Sequence, residues 1–283
     1  MRHSFAKWTW AHRATAALFL LLLVRGGQGA WGWFEGAAPA TRFFGWLRFV
    51  DPLAALESAL AHGTLNQSML IGAALLVLAA ALMGPIFCGW LCPLGLLLDL
   101  NGALRRVFSG RSGRLRQVPH VSGQPRLIPL GFVLAFSAVA HVPVFTTFSP
   151  IQMVVAAVST GSLVAFVVLG LLALVEWFSP RLWCRRLCPL GGLYAILGRF
   201  AWLRIRINRK RAGQSPCRQC TTHCPMGIPV MEAHVLKKGA AIFDPNCTRC
   251  GTCLDVCRND VLSCGLPGGI RGHHAQPDTV EKP

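Results

Sequence analysis

Acidic side chains are scarce in this chain, with 11 Asp and Glu against 28 Lys and Arg in 283 residues. So few carboxylates leave no basis for a glycosidase-like acid pair or a Ser–His–Asp triad. Charge of either sign is thin, 14% of residues where soluble domains average about 25%. A simple soluble globule is therefore not expected. No nucleotide-binding loop is present either, since "GALRR" and "GQG" lack the glycine spacing that cradles phosphate. The net charge of +17 suits nucleic acid, anionic lipid or the cytoplasmic loops of a membrane protein. No basic–aromatic recognition module accompanies it, which argues against nucleic acid.

What the chain has in abundance is apolar sequence, 53% of its residues. Met69 to Phe87 is uncharged over 19 residues, Leu127 to Phe148 over 22, and Ser162 to Phe178 carries only Glu176. Each approaches the length that crosses a hydrocarbon core of roughly 30 Å. A shorter run, Ala14 to Val24, follows Arg2, Lys7 and Arg13 and precedes Arg25. It reads as a retained first helix running on toward Trp31–Trp33, with a signal peptide cleaved near Ala30 as the alternative. Four transmembrane helices are expected. Arginines crowd the stretches Asp99 to Arg126 and Ser179 to Arg218, and thin out in Gly32 to Asn66 and Ser149 to Thr160. The crowded stretches then lie inside, which makes the protein multi-pass in a bacterial inner membrane with both termini cytoplasmic.

The chain holds 12 cysteines, and they fall in clusters rather than in a disulfide-like scatter. "NCTRCGTCLDVC" places Cys247, Cys250, Cys253 and Cys257 at gaps of two, two and three residues. That is the bacterial ferredoxin spacing, in which three sulfurs on one loop hold three corners of a cubane and the fourth serves the other cluster. Zinc ordinarily takes two CxxC pairs set farther apart. An imperfect partner lies upstream in "QSPCRQCTTHCP": Cys217, Cys220 and Cys224 keep the spacing, and Gln214 stands where a first cysteine belongs. By the swapped pattern, Cys247, Cys250, Cys253 and Cys224 form one complete ligand set. Cys217, Cys220 and Cys257 form a second that is one thiolate short. That second site can hold a three-iron cluster, recruit the spare Cys264, or stay empty; for Cys264 an inert thiol is an equal reading.

Two further pairs stand apart: Cys88 and Cys92 in "FCGWLCPLG", and Cys184 and Cys188 in "WCRRLCPLGG". Each is Cys-x3-Cys-Pro at the end of an apolar run, so span, cysteine pair, Leu-Gly and basic segment form an internal repeat. Spacing i, i+4 puts both sulfurs on one helical face. Facing each other, the pairs supply four thiolates to a further centre or act as redox dithiols. The plainer alternative is that they only shape helix ends. Trp90, Trp183 and Trp202 read as interfacial aromatics. His141 reads as hydrogen-bonded in the bundle rather than as a haem or quinone ligand, and His62, His273 and His274 as solvated.

The expected fold is thus an α-helical integral membrane protein of about four transmembrane helices (1–211), followed by a small α+β module of the bacterial 2x(4Fe–4S) ferredoxin type (212–267) and a disordered tail (268–283). Four spans, "CGWLCPLG" after the second, "CRRLCPLGGLYAILGRF" after the fourth and a ferredoxin module at the end resemble the NapH/MauN-type polytopic ferredoxin-like proteins. "DPLAALESALAHG" resembles that family too. The compact length and incomplete first cysteine run lean to the MauN side. The resemblance implies electron transfer between the quinone pool and periplasmic redox partners, as in methylamine utilisation or periplasmic nitrate reduction. It implies 4Fe–4S clusters on the seven module cysteines, the second in doubt at Gln214, and a ferredoxin-type or periplasmic redox partner. Membrane lipid and quinol complete the expected contacts. A factor that matures a partner enzyme with the same cysteines is the rival reading.

Overall fold

A computed structural model of the chain describes residues 6–28, 34–37, 40–43, 47–63, 67–108, 124–212, 217–237, 239–257 and 260–265. Arg2, Trp31–Trp33, Gln214, His273, His274 and the expected tail lie outside them. A helix α1 (Lys7–Gly27) leads to an antiparallel meander β1 (Phe34–Ala37), β2 (Ala40–Phe43) and β3 (Leu47–Val50). The helices α2 (Pro52–His62), α3 (Gln67–Met83), α4 (Pro93–Phe108), α5 (Leu127–Ala140), α6 (Val144–Phe148), α7 (Pro150–Thr160), α8 (Leu163–Phe178) and α9 (Pro189–Leu197) follow. The C-terminal part is built from β4 (Arg204–Ile207), the single-turn helices α10 (Gln219–Thr222) and α11 (Thr252–Asp255), and β5 (Leu262–Gly265), antiparallel to β4.

Local chemistry sets many of these boundaries. Asp51 accepts from the Leu53 amide, Pro52 opens α2, and Gly63 closes it in left-handed backbone. Pro150 and Gly161 bound α7 in the same way. Two large hydrophobic cores and two small ones result among the described residues. Leu53, Leu94, Leu130, Leu190 and Tyr194 anchor the helical body. Ile205 and Ile207 of β4 join Met226, Ile228, Val230 and Ile242 in the core of the C-terminal module.

The expected four transmembrane helices are not found: among the described residues, no helix is long and apolar enough to cross a membrane. The backbone cuts the apolar runs short. α3 has 17 residues and stops before Gly84, in left-handed backbone, and Pro85. The run from Leu127 breaks at His141, also left-handed, ahead of Pro143, leaving 14 residues in α5 and 5 in α6. α8 has 16 residues and ends before Ser179 and Pro180. At ~1.5 Å per residue these helices reach about 21–26 Å, short of the ~30 Å a span needs. α1 has 21 residues but carries Lys7, His12, Arg13 and Arg25.

Several of the few carboxylates are buried where they tie elements together. Glu57 on α2 is fully buried and accepts from the amides of Phe145 (2.8 Å) and Thr146 (3.1 Å) and the hydroxyls of Thr146 (2.7 Å) and Ser137 (3.1 Å). Asp99 on α4 pairs with Arg181 and lies 3.1 Å from His12 Nε2 on α1. Burial alone would raise the Asp99 carboxyl, but Arg181 and His12 more than offset it and hold it well below the usual range. A depressed pKa contributes stability above the ordinary carboxylate value of about 3.9, which is lost as pH falls below it. Asp99→Asn leaves the Arg181 guanidinium buried without its partner, at an expected cost of about 3–5 kcal/mol. Denaturation of the purified chain at neutral pH measures the loss, and the parent and variant should converge as the pH is taken below about 4.

Candidate iron–sulfur sites

The two module cysteine runs fold alike. In each, the residue after one cysteine takes left-handed backbone, Arg218 at φ 53° and Gly251 at φ 80°. A single turn then carries the next cysteine, Cys220 or Cys253. The third closes with an amide to the carbonyl three back, Cys224 to Thr221 and Cys257 to Leu254, both at 3.3 Å. This twofold likeness turns the last cysteine of each run toward the other run. Cys253 feels the charges of Cys247, Cys250 and Cys224, and Cys224 that of Cys250. Cys220 feels Cys257 and Cys217. Four thiols thus gather at one end of the module and three at the other. Cys264 lies exposed on β5, with Arg249 as its charged neighbour.

Burial pushes the Cys224 thiol up to about 11 and the Cys247 thiol to about 12, so without metal both stay protonated at neutral pH. The amides of Ile228, Met226 and Gly227 bond the Cys224 sulfur, and that of Arg249 the Cys247 sulfur. Such amides favour a charged sulfur, which is what a metal creates. Among the described residues, no three His, Cys, Asp or Glu side chains could hold a single metal ion.

The paired cysteines of the helical body also come together. Cys88 feels Cys92, Cys188 and Cys184, and Cys184 feels Cys188 and Cys92. Their backbone departs from the expected single α-helical face. Phe87–Leu91 and Trp183–Leu187 are π-helical turns, closed by amides of Cys92 to the Phe87 carbonyl (2.9 Å) and of Cys188 to the Trp183 carbonyl (2.8 Å). Cys92 and Cys188 are extended, at ψ 117° and 109°, and prolines open α4 and α9 after them. Trp90 and Trp183, expected as interfacial aromatics, lie within these turns. His141 donates from Nδ1 to the Ala61 carbonyl at 3.0 Å, consistent with a hydrogen-bonded role.

The module seats directly on these turns. A Cβ on Gly89, inside the first turn, would stand 2.6 Å from the carbonyl oxygen of Thr248, between Cys247 and Cys250. Trp90 Nε1 donates to the Arg249 carbonyl at 3.1 Å, and Arg249 donates to the carbonyls of Met83 (2.7 Å) and Gly198 (3.4 Å). Arg126 bonds Asn246 and the Gly191 carbonyl. Asp255 caps α1, accepting from the amides of Trp8 (3.1 Å) and Thr9 (2.8 Å). Arg181 lies within the electrostatic reach of both Cys184 and Cys250. Of these docking residues only Trp90 was singled out from the sequence, as an interfacial aromatic and not as a docking contact.

Comparison with known proteins places both cysteine regions in iron–sulfur families. The family described as a 4Fe-4S binding domain matches residues 65–112 and 161–210, and that described as a 4Fe-4S dicluster domain matches residues 215–262. Ferredoxin-type protein NapH of Haemophilus influenzae is 29% identical over 92% of this chain and 93% of its own length. NapH of Escherichia coli is 29% identical over 81% of this chain and 79% of its own. Methylamine utilization ferredoxin-type protein MauN of Methylobacillus flagellatus is 29% identical over 71% and 68%.

This chain is a homologue of the NapH and MauN ferredoxin-type proteins.

It is a ferredoxin-type iron–sulfur electron-transfer protein whose cofactors are 4Fe–4S clusters. Its NapH and MauN relatives imply a redox partner in that transfer. No solved structure matches it. The first family covers both Cys-x3-Cys-Pro stretches and the second covers all seven module cysteines, so the two cysteine systems meet where Gly89 touches Thr248. Gly89→Ala forces a methyl against that carbonyl and should cost about 1–3 kcal/mol by overpacking. Chemical denaturation of the cluster-loaded chain checks it, and the Trp90 fluorescence should change with the loss of its bond to Arg249.

Proposed function

We propose that this chain passes electrons between membrane quinol and a periplasmic redox system, working at the inner membrane of a bacterium. The observation that carries the electron-transfer reading is the meeting of Cys224 with Cys247, Cys250 and Cys253 beside the helical body. Those four thiols are the ligand set for one 4Fe–4S cluster, and Cys217, Cys220 and Cys257 supply three thiols to a second. Bound there, a cluster supplies one-electron transfer. The chain's part is to release the thiol protons, exclude water and set the potential. Arg249 is nearly buried beside Cys247, and its positive charge favours the reduced, more negative state.

Support for work at a membrane comes from the apolar side chains that α3, α5 and α8 leave uncovered. Leu78, Phe132 and Val164 are 57%, 68% and 71% exposed, with many neighbours like them. Monomeric proteins in water rarely expose so much apolar surface. An apolar phase against these helices would also be the source of quinol.

The maturation reading needs thiolates that a partner can reach. Cys92 and Cys188 are buried and Cys88 and Cys184 half-buried, and burial pushes the Cys188 thiol up to about 12, which favours electron carriage over thiol exchange. Anaerobic addition of a quinol to the oxidised, cluster-loaded protein tests the proposal by EPR. The reduced-cluster signal should grow with added quinol, and the part of it that comes from the Cys224, Cys247, Cys250 and Cys253 cluster should be lost in Cys250→Ser. Clusters that dithionite reduces but excess quinol leaves oxidised, with the partner present, would overturn the quinol step and leave the iron–sulfur assignment standing.

A further inference from the structure

Each of the two stretches matched as a 4Fe-4S binding domain contains just two cysteines, Cys88 and Cys92 in residues 65–112, and Cys184 and Cys188 in residues 161–210. Neither can ligate a cubane by itself, since a cubane takes four thiolates. The fold removes the shortfall. The two π-helical turns and the two extended Cys-Pro junctions repeat the same local geometry, and they set all four cysteines, two buried and two half-buried, in one packed cluster, close enough for the charges of each pair to act on the other. Cys92 and Cys188 are themselves in the core of the body, with Cys88 and Cys184 packed against it.

The surroundings of this group are those of a missing anion. Arg126 is 3% exposed, lies close enough to Cys88 and Cys188 for their charges to interact, and has no carboxylate partner among the described residues. Its Nε is buried with no hydrogen-bond acceptor. The Nε1 of Trp183, adjacent to Cys184, is likewise buried and unpartnered. Two orphaned donors, one of them on a buried cation, are costly beside four neutral thiols. They are well placed beside four thiolates and the sulfides they would enclose.

We propose that Cys88, Cys92, Cys184 and Cys188 jointly hold one further 4Fe–4S cluster, shared between the two halves of the internal repeat, with Arg126 balancing its charge. The cluster sits where Gly89 and Trp90 touch the Cys247–Cys250 loop, next to the complete ligand set of the module. One electron leaving a reduced module cluster has a neighbouring oxidised centre to enter, and no proton or bond need move. The proposal extends the quinol reading without resting on it, because metal content is counted with no quinol present.

The full chain, purified and reconstituted anaerobically with ferrous iron and sulfide, gives the test. Cys88→Ser with Cys92→Ser should remove about four iron and four sulfide ions per chain. Cys184→Ser with Cys188→Ser should remove the same number, and the fourfold variant no more than either pair. Losses that add across the two pairs, or an unchanged iron content in the fourfold variant, would overturn the sharing. Should the fourfold variant lose all its iron by unfolding, a second variant decides. With all seven module cysteines replaced by serine, the chain should keep about four iron ions and an EPR signal on reduction. An iron-free protein there would overturn the proposal.

Discussion

A residue that precedes proline is driven out of the α region by the proline ring, and at Cys92 and Cys188 that restriction shapes the centre of the molecule. Both residues turn extended, both end a π-helical turn, and both hand the chain to a proline that opens the next helix. A continuous α-helix would carry the two sulfurs of each pair along one face, past the neighbouring helix. The break instead folds each pair back against the other and exposes a short turn on which the module can sit. Cys188 gains a second task there, accepting the Gly191 amide at 3.3 Å as the N-cap of α9.

Docking depends on close backbone approach. Gly89 admits the Thr248 carbonyl because it has no Cβ, and Gly84, at φ 76°, stands where a side chain would overlap the Arg249 guanidinium. Arg249 fills that space and bonds carbonyls from both halves of the body, Met83 and Gly198. A single residue of the ferredoxin loop thus clamps the ends of α3 and α9 while its neighbours are cluster ligands in the proposed scheme. Structural support and ligand placement are the same set of contacts.

How much of this was legible in the sequence divides along physical lines. Spacing pointed to an iron–sulfur module, because three residues on a tight loop can reach one cubane, and the dicluster match over residues 215–262 agrees with that module. Local chemistry carried the ends of α2, through Asp51, Pro52 and Gly63. Apolar length misled for the spans. Counting uncharged residues from Leu127 to Phe148 says how far the chain avoids charge, and nothing of the left-handed turn at His141 that divides it. Pro85, Pro143 and Pro180 were visible breakers within or beside those runs, and the backbone obeyed them. The docking arginines were not legible, because Arg126, Arg181 and Arg249 look in sequence like any other members of a basic surplus.

That surplus and the shortage of acids can be traced to one cause. A buried guanidinium needs a negative partner. Arg181 has Asp99, while Arg126 and Arg249 lie at most 9% exposed with no carboxylate bridge among the described residues. What stands beside them is cysteine: Cys88 and Cys188 by Arg126, and Cys247 by Arg249. As thiols these groups balance nothing; once iron takes their protons they carry the charge the arginines lack. A carboxylate at either place would satisfy the cation in the metal-free chain and then repel the cluster. The composition that first looked like a deficit of acids is, on this view, an interior whose counter-charge arrives with its metal. The helical body and module should hold together most firmly when that metal is bound.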